Sequence, residues 1–154
     1  MLDLSHRPNV LYLASIERMN AARRMIDEKP HDYVLAGYLA GLAVEAMLQS
    51  LALRAGAAHD ARHSLDKWLI KCPWVMQDVL KGSNEWSFLA ATWDNGMRYL
   101  SFEGLAGYYK QKGYGHGKKG GVESLVRQAT NHLVDTAQVV HKKGLVVWES
   151  STRK

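Results

Sequence analysis

The chain is short of cysteine, short of acids in its last third, and lacks the spacings that mark common cofactor and metal sites; each shortage excludes something. Its one cysteine, Cys72, has no partner for an internal disulfide, so a reducing compartment, the cytoplasm, is the expected location. The first residues hold no basic start followed by an apolar run and a cleavage site, so no secretory leader is expected. A P-loop, a Rossmann glycine pattern and paired Cys/His spacings are all missing, which removes the usual grounds for expecting a nucleotide-cradling loop, a bound metal or a cofactor. No internal repeat is present, and 154 residues with 47% apolar composition fit one domain spanning 1–154 with a core of its own.

What is there begins with charge. The net charge is +5, and its distribution is uneven: residues 104–154 hold 9 Lys/Arg against 3 Asp/Glu, whereas residues 1–103 hold 11 against 12. A localised basic region attracts phosphate better than the same charge spread evenly, because neighbouring cations act together on one polyanion.

The longest apolar run, Leu35 to Leu53, is studded with small residues and carries one acid, Glu45. At 100° per residue Leu35, Leu39, Leu42 and Ala46 share one face, while Ala40, Val44, Met47 and Leu51 share the opposite one. A helix apolar on both sides belongs in the middle of a bundle. Tyr38, Glu45, Gln49 and Ser50 make the run too polar for a clean membrane span, so an all-α domain without membrane contact is expected. Gly37 and Gly41 lower helix propensity, and a close helix crossing would account for them.

Around this centre the spacing predicts a first helix over 8–28, started by Ser5 and Pro8, and a second over 33–55, capped by Asp32 and ended by Arg54-Ala55-Gly56. His63-Ser64 leads into a third helix that Pro73 breaks or kinks, and Ser83 or Asn84 caps a fourth with Trp86, Leu89, Ala90 and Trp93 on one stripe. Trp68, Trp74, Trp86 and Trp93 read as core. Seven glycines set among tyrosines and lysines predict a long mobile loop over 104–121. A last long helix follows over 122–141, then a short tail over 144–154 in which Leu145-Val146-Val147-Trp148 reads as an extended piece packed on the bundle or on a partner chain.

Three local patterns occur in order: Ala40-Gly41-Leu42-Ala43-Val44-Glu45-Ala46, then His63-Ser64-Leu65 with Trp68-Leu69, then Trp93-Asp94-Asn95-Gly96-Met97-Arg98-Tyr99. Together they resemble the HEPN family over about residues 20–142. The resemblance implies an up-and-down bundle of four to five helices, frequent dimers, and pairing with a nucleotidyltransferase-like partner protein. Members that act as enzymes are metal-independent ribonucleases, some in toxin–antitoxin or defence systems, marked by an Arg and a later His near the start of the last long helix. Arg127 and His132 fit the shortest form of that signature, although Arg24 with His31 and Arg54 with His59 match the spacing too.

In that reading His132 takes the proton of a ribose 2′-hydroxyl and Arg127 braces the phosphate. The alternative is a non-catalytic module that binds a partner. Residues five apart on a regular helix point about 140° from one another, so Arg127 and His132 do not converge within one ideal helix. For RNA or a nucleotide, Lys110, Lys112, Lys118 and Lys119 are the expected phosphate contacts, with Tyr109 and Tyr114 as stacking platforms. Glu45, alone among apolar neighbours, needs a cation, a hydrogen bond or a proton, and Arg98 is its expected partner.

Overall fold

The computed structural model describes residues 4, 7–60, 62–115 and 120–152, and among these the chain is all helical. Seven α-helices are present: α1 (Pro8–Asp27), α2 (Tyr33–Arg54), α3 (Leu65–Leu69), α4 (Trp74–Leu80), α5 (Asn84–Thr92), α6 (Phe102–Gln111) and α7 (Val122–Thr152), with a 3-10 turn at Asn95–Tyr99. Local signals start most of them. Pro8 opens α1, with Arg7 at the N-cap position; Ser5 lies outside the described residues. Asp32 caps α2 by accepting from the Leu35 N–H at 2.9 Å, and Ser64, Ser83 and Ser101 cap α3, α5 and α6 in the same way. Pro73 does separate two helices, α3 and α4.

α2 is the centre. It packs against α1, α3, α6, α7 and the 3-10 turn, and 14 of its 22 residues are buried. By length and hydropathy alone α2 would pass for a membrane span, but the other helices of this chain cover most of it. The face carrying Ala40, Val44, Met47 and Leu51 is wholly enclosed, whereas Leu35, Leu39 and Leu42 lie at the edge of the core.

Three expectations are corrected. The segment 104–121 is not one long loop, because its first part belongs to α6. There Leu105, Ala106 and Tyr109 are buried, and Tyr109 shares a 2.9 Å hydrogen bond with Thr130 of α7. Gly104 and Gly107 cost about 1 kcal/mol each in propensity, and burial of that apolar face outweighs the cost. The tail is not extended either: α7 runs on to Thr152, and Trp148 is buried between Tyr12, stacked at 4.6 Å, and Arg54, whose guanidinium lies 3.6 Å from the ring centroid. Arg54 also donates to the Trp148 carbonyl at 2.8 Å and to the Ser151 hydroxyl. Of the two expected placements for Trp148, packing on the bundle of its own chain is the one observed. Finally, Trp74 is 71% exposed rather than core, while Trp68, Trp86 and Trp93 are buried as expected.

A buried histidine locks α7 to α1. His141 is 3% exposed, and its Nε2 lies 3.0 Å from Ser15 Oγ, which itself donates to the Tyr12 carbonyl at 2.7 Å. With the serine proton committed, Nε2–H is the donor to Oγ. Burial pulls the imidazole down from 6.5 to about 4. The folded chain thus holds this ring neutral where the unfolded chain protonates it, so stability is intact above pH 6.5 and drains away as pH falls toward 4. The loss expected from this residue is about 3 kcal/mol. Urea unfolding of wild type and His141→Gln at neutral pH and near pH 4 isolates it, because the carboxylates titrate in both proteins. Equal losses in the two would show that the ring is not held neutral.

Candidate functional site

The expected partner of Glu45 is corrected first. Arg98 lies on the surface, donating to the Tyr38 hydroxyl at 3.4 Å and resting over the Tyr99 ring. Glu45 Oε1 instead meets His63 Nδ1 at 2.8 Å and accepts from Gln49 Nε2 at 3.2 Å. The second oxygen, Oε2, is buried without a hydrogen-bond partner among the described residues. Burial pushes this carboxyl above its ordinary range, opposed by the His63 hydrogen bond, by the charge on His63 and by that of Arg18.

The two partners differ sharply in exposure: the Glu45 side chain is 4% exposed and that of His63 45%. A carboxylate that accepts from Nδ1–H fixes the tautomer, turns the ring, and leaves Nε2 as the nitrogen free to exchange a proton with a ligand. The loop bearing His63 is braced from behind. Asp60 accepts from the Arg62 backbone N–H at 3.0 Å, from the Arg62 guanidinium and from Lys71 Nζ at 3.3 Å, contacts that hold its carboxyl down at about 2. Trp68 Nε1 donates to the Arg62 carbonyl at 3.0 Å, so the buried indole pins the residue before His63.

In front of His63 lies a polar cleft of about 170 Å³, walled by Ser64 and Asp66 of the α3 start and by Ala90, Trp93 and Asp94 at the end of α5. The Trp93 indole lies flush against the bare Cα of Gly41 and donates from Nε1 to the Tyr38 carbonyl at 3.2 Å. The three sequence patterns therefore meet here: the first supplies Gly41 and Glu45, the second His63 and Ser64, the third Trp93 and Asp94. No family model, no curated protein and no solved structure matches the chain.

The other expected site residues lie elsewhere. Arg127 and His132 are both exposed on α7, which is helical without interruption across them, so they leave its axis about 140° apart. The His132 ring packs edge-on against Phe88, with centroids 4.3 Å apart, and near Tyr114. Tyr109 is fully buried and has no face for a base, and burial raises its hydroxyl pKa. Tyr114 is half-buried against Phe88 and Tyr109, its hydroxyl pushed up to about 12. Tyr109 is thus a packing residue, while Tyr114 keeps part of its ring exposed. Lys110 is exposed beside a cleft of about 250 Å³ formed with Gly120, Gly121, Ser124 and Gln128 at the start of α7; Lys112 caps α6 and covers the Tyr108 ring. Lys118 and Lys119 lie outside the described residues.

His63 is the functional candidate that residue spacing did not single out. Its pattern was visible, but 18 residues separate it from Glu45, and no periodicity connects a loop to the middle of a helix.

Proposed function

We infer that the chain is a HEPN-like protein that engages RNA, and that the Glu45–His63 pair supplies the proton-transfer group of a metal-independent cleavage. The observation carrying this reading is the pair itself: a buried carboxylate holding a half-exposed imidazole at the mouth of a cleft where all three HEPN-like patterns converge. In this reading His63 Nε2 removes the proton of a ribose 2′-hydroxyl; the freed oxygen bonds to the adjacent phosphorus to give a 2′,3′-cyclic phosphate, the bond from phosphorus to the 5′-oxygen of the next nucleotide breaks, and that oxygen leaves as a hydroxyl with a proton from water. Glu45 stabilises the imidazolium so formed without taking the proton. The exposed cations of the basic last third, Lys110, Lys112 and Arg127, supply the attraction for the polyanion. A dimer and a nucleotidyltransferase-like partner are further parts of the same proposal, implied by the resemblance.

Incubating the purified chain with mixed cellular RNA in EDTA tests the reading. Cleavage that vanishes in His63→Ala and persists in His132→Ala is the expected result, as is growth arrest on expression that His63→Ala relieves. Intact RNA with wild type would reject the enzyme and leave the partner-binding module; loss of cleavage with His132→Ala alone would move the chemistry to α7.

A further inference from the structure

α4 repeats on a small scale the oddity of α2. Met76 and Leu80 bury one side, yet Val75 and Val79, one turn apart, point away from the core and are 57% and 39% exposed. The second half of α7 does the same, with Val139 and Val146 exposed seven residues apart. Between these two stripes and the end of α2 runs an open trough of about 740 Å³, floored by Leu51 and walled by Val75, Val79 and Val146. Among the described residues its ionisable lining groups are Arg54 and Lys143, both cationic. Arg54 is committed to Trp148 and Ser151, while Lys143 has no acidic partner among the described residues.

We propose that this trough is the docking site for an amphipathic helix of a partner protein whose apolar stripe is flanked by carboxylates. The α7 wall from Lys143 to Ser150 is about 10 Å long, which seats apolar anchors at i, i+3 or i+4, and i+7 of an incoming helix. The cationic rim selects an acidic flank and disfavours a second copy of the chain: a two-fold contact on this part of α7 would bring Lys142 and Lys143 beside their own copies. An acyl chain is disfavoured because the trough is open along one side, which would leave much of the chain wet, whereas a helix keeps its polar face in water.

A fluorescein-labelled synthetic helix about five turns long, with a leucine stripe flanked by glutamates, is the probe, and its lysine-flanked counterpart is the control. Fluorescence anisotropy should rise saturably with the glutamate probe. Val146→Glu should weaken binding at least about tenfold, as expected for a carboxylate forced into an apolar contact. Lys143→Glu should reverse the preference, favouring the lysine probe. Val146 is exposed and Lys143 half-buried at the rim, so circular dichroism of the variants should match wild type, and Val146→Ser gives a milder form of the same loss. No saturable rise with the glutamate probe overturns the proposal, and so does a rise that Val146→Glu leaves unchanged. A dimer of the free chain that Val146→Glu dissociates, seen by sedimentation, also overturns it, since the occupant is then a second copy.

Discussion

Gly41→Ala is expected to destabilise the chain by about 2–4 kcal/mol, against the usual gain of about 1 kcal/mol for replacing a helical glycine by alanine. The sign is reversed by one neighbour. A Cβ at Gly41 would overlap Nε1, Cδ1 and Cε2 of the Trp93 indole, the body of a ring and not the end of a flexible chain. Trp93 is 6% exposed, so it can move only by leaving its slot, giving up its burial and its hydrogen bond to the Tyr38 carbonyl. Losing most of the packing of a buried tryptophan costs about 3–5 kcal/mol, which exceeds the propensity gain. Gly37→Ala is the control, because its Cβ would meet only the side-chain ends of Leu133 at 3.3 Å, Met97 and Tyr109. Its effect should stay within about 1 kcal/mol. Thermal unfolding of the two variants reads the contrast directly, and a Gly41→Ala protein as stable as Gly37→Ala would mean that Trp93 is not seated on α2.

The second large effect falls on the proposed RNA cleavage. His63→Ala should lower the RNA cleavage rate about 10²–10⁴-fold, the usual contribution of a positioned acid–base group. Glu45→Gln should also lower the rate substantially, since an amide carries no charge to stabilise the imidazolium and can present an N–H to Nδ1, turning the ring to the wrong tautomer. Its stability should move the other way. Burial raises the Glu45 carboxyl, and a group whose pKa is raised on folding contributes stability that is lost as pH climbs through the folded value. Ionising Glu45 therefore weighs against the fold, and Glu45→Gln, which keeps the side chain's shape without the charge, should unfold at an equal or higher temperature while cleaving more slowly. A purely structural Glu45 gives a different pattern: lower stability in Glu45→Gln and an unchanged rate in whatever protein remains folded.

The amino-acid order was informative about this site in part. It marked Glu45 as an acid that needs an answer, because a lone carboxylate in an apolar helix is costly wherever the helix packs. It offered Arg98, the nearest arginine in a neighbouring pattern, and the answer came from a loop histidine that the ends of α2 and α3 bring across. α2 is nonetheless tied to the Trp93–Tyr99 segment by other groups, Trp93 Nε1 donating to the Tyr38 carbonyl and Arg98 Nη1 to the Tyr38 hydroxyl. Lys142-Lys143-Gly144 resembles a helix end, with basic residues in the last turn and a glycine after them. The glycine serves instead where α7 crosses α2, since a Cβ there would overlap the Met47 side chain.

The sequence alone determined the central helix, its Asp32 cap, the Pro73 break and the all-helical class, because caps, prolines and apolar periods act within a few residues of where they stand. The tertiary structure decided which apolar faces are covered: Tyr109 inside, Trp74 outside, Trp148 clasped by Arg54 and Tyr12, and the trough left open beside α7. Coverage depends on neighbours distant in the chain, and a helix with two apolar sides carries no local record of which side another helix reaches.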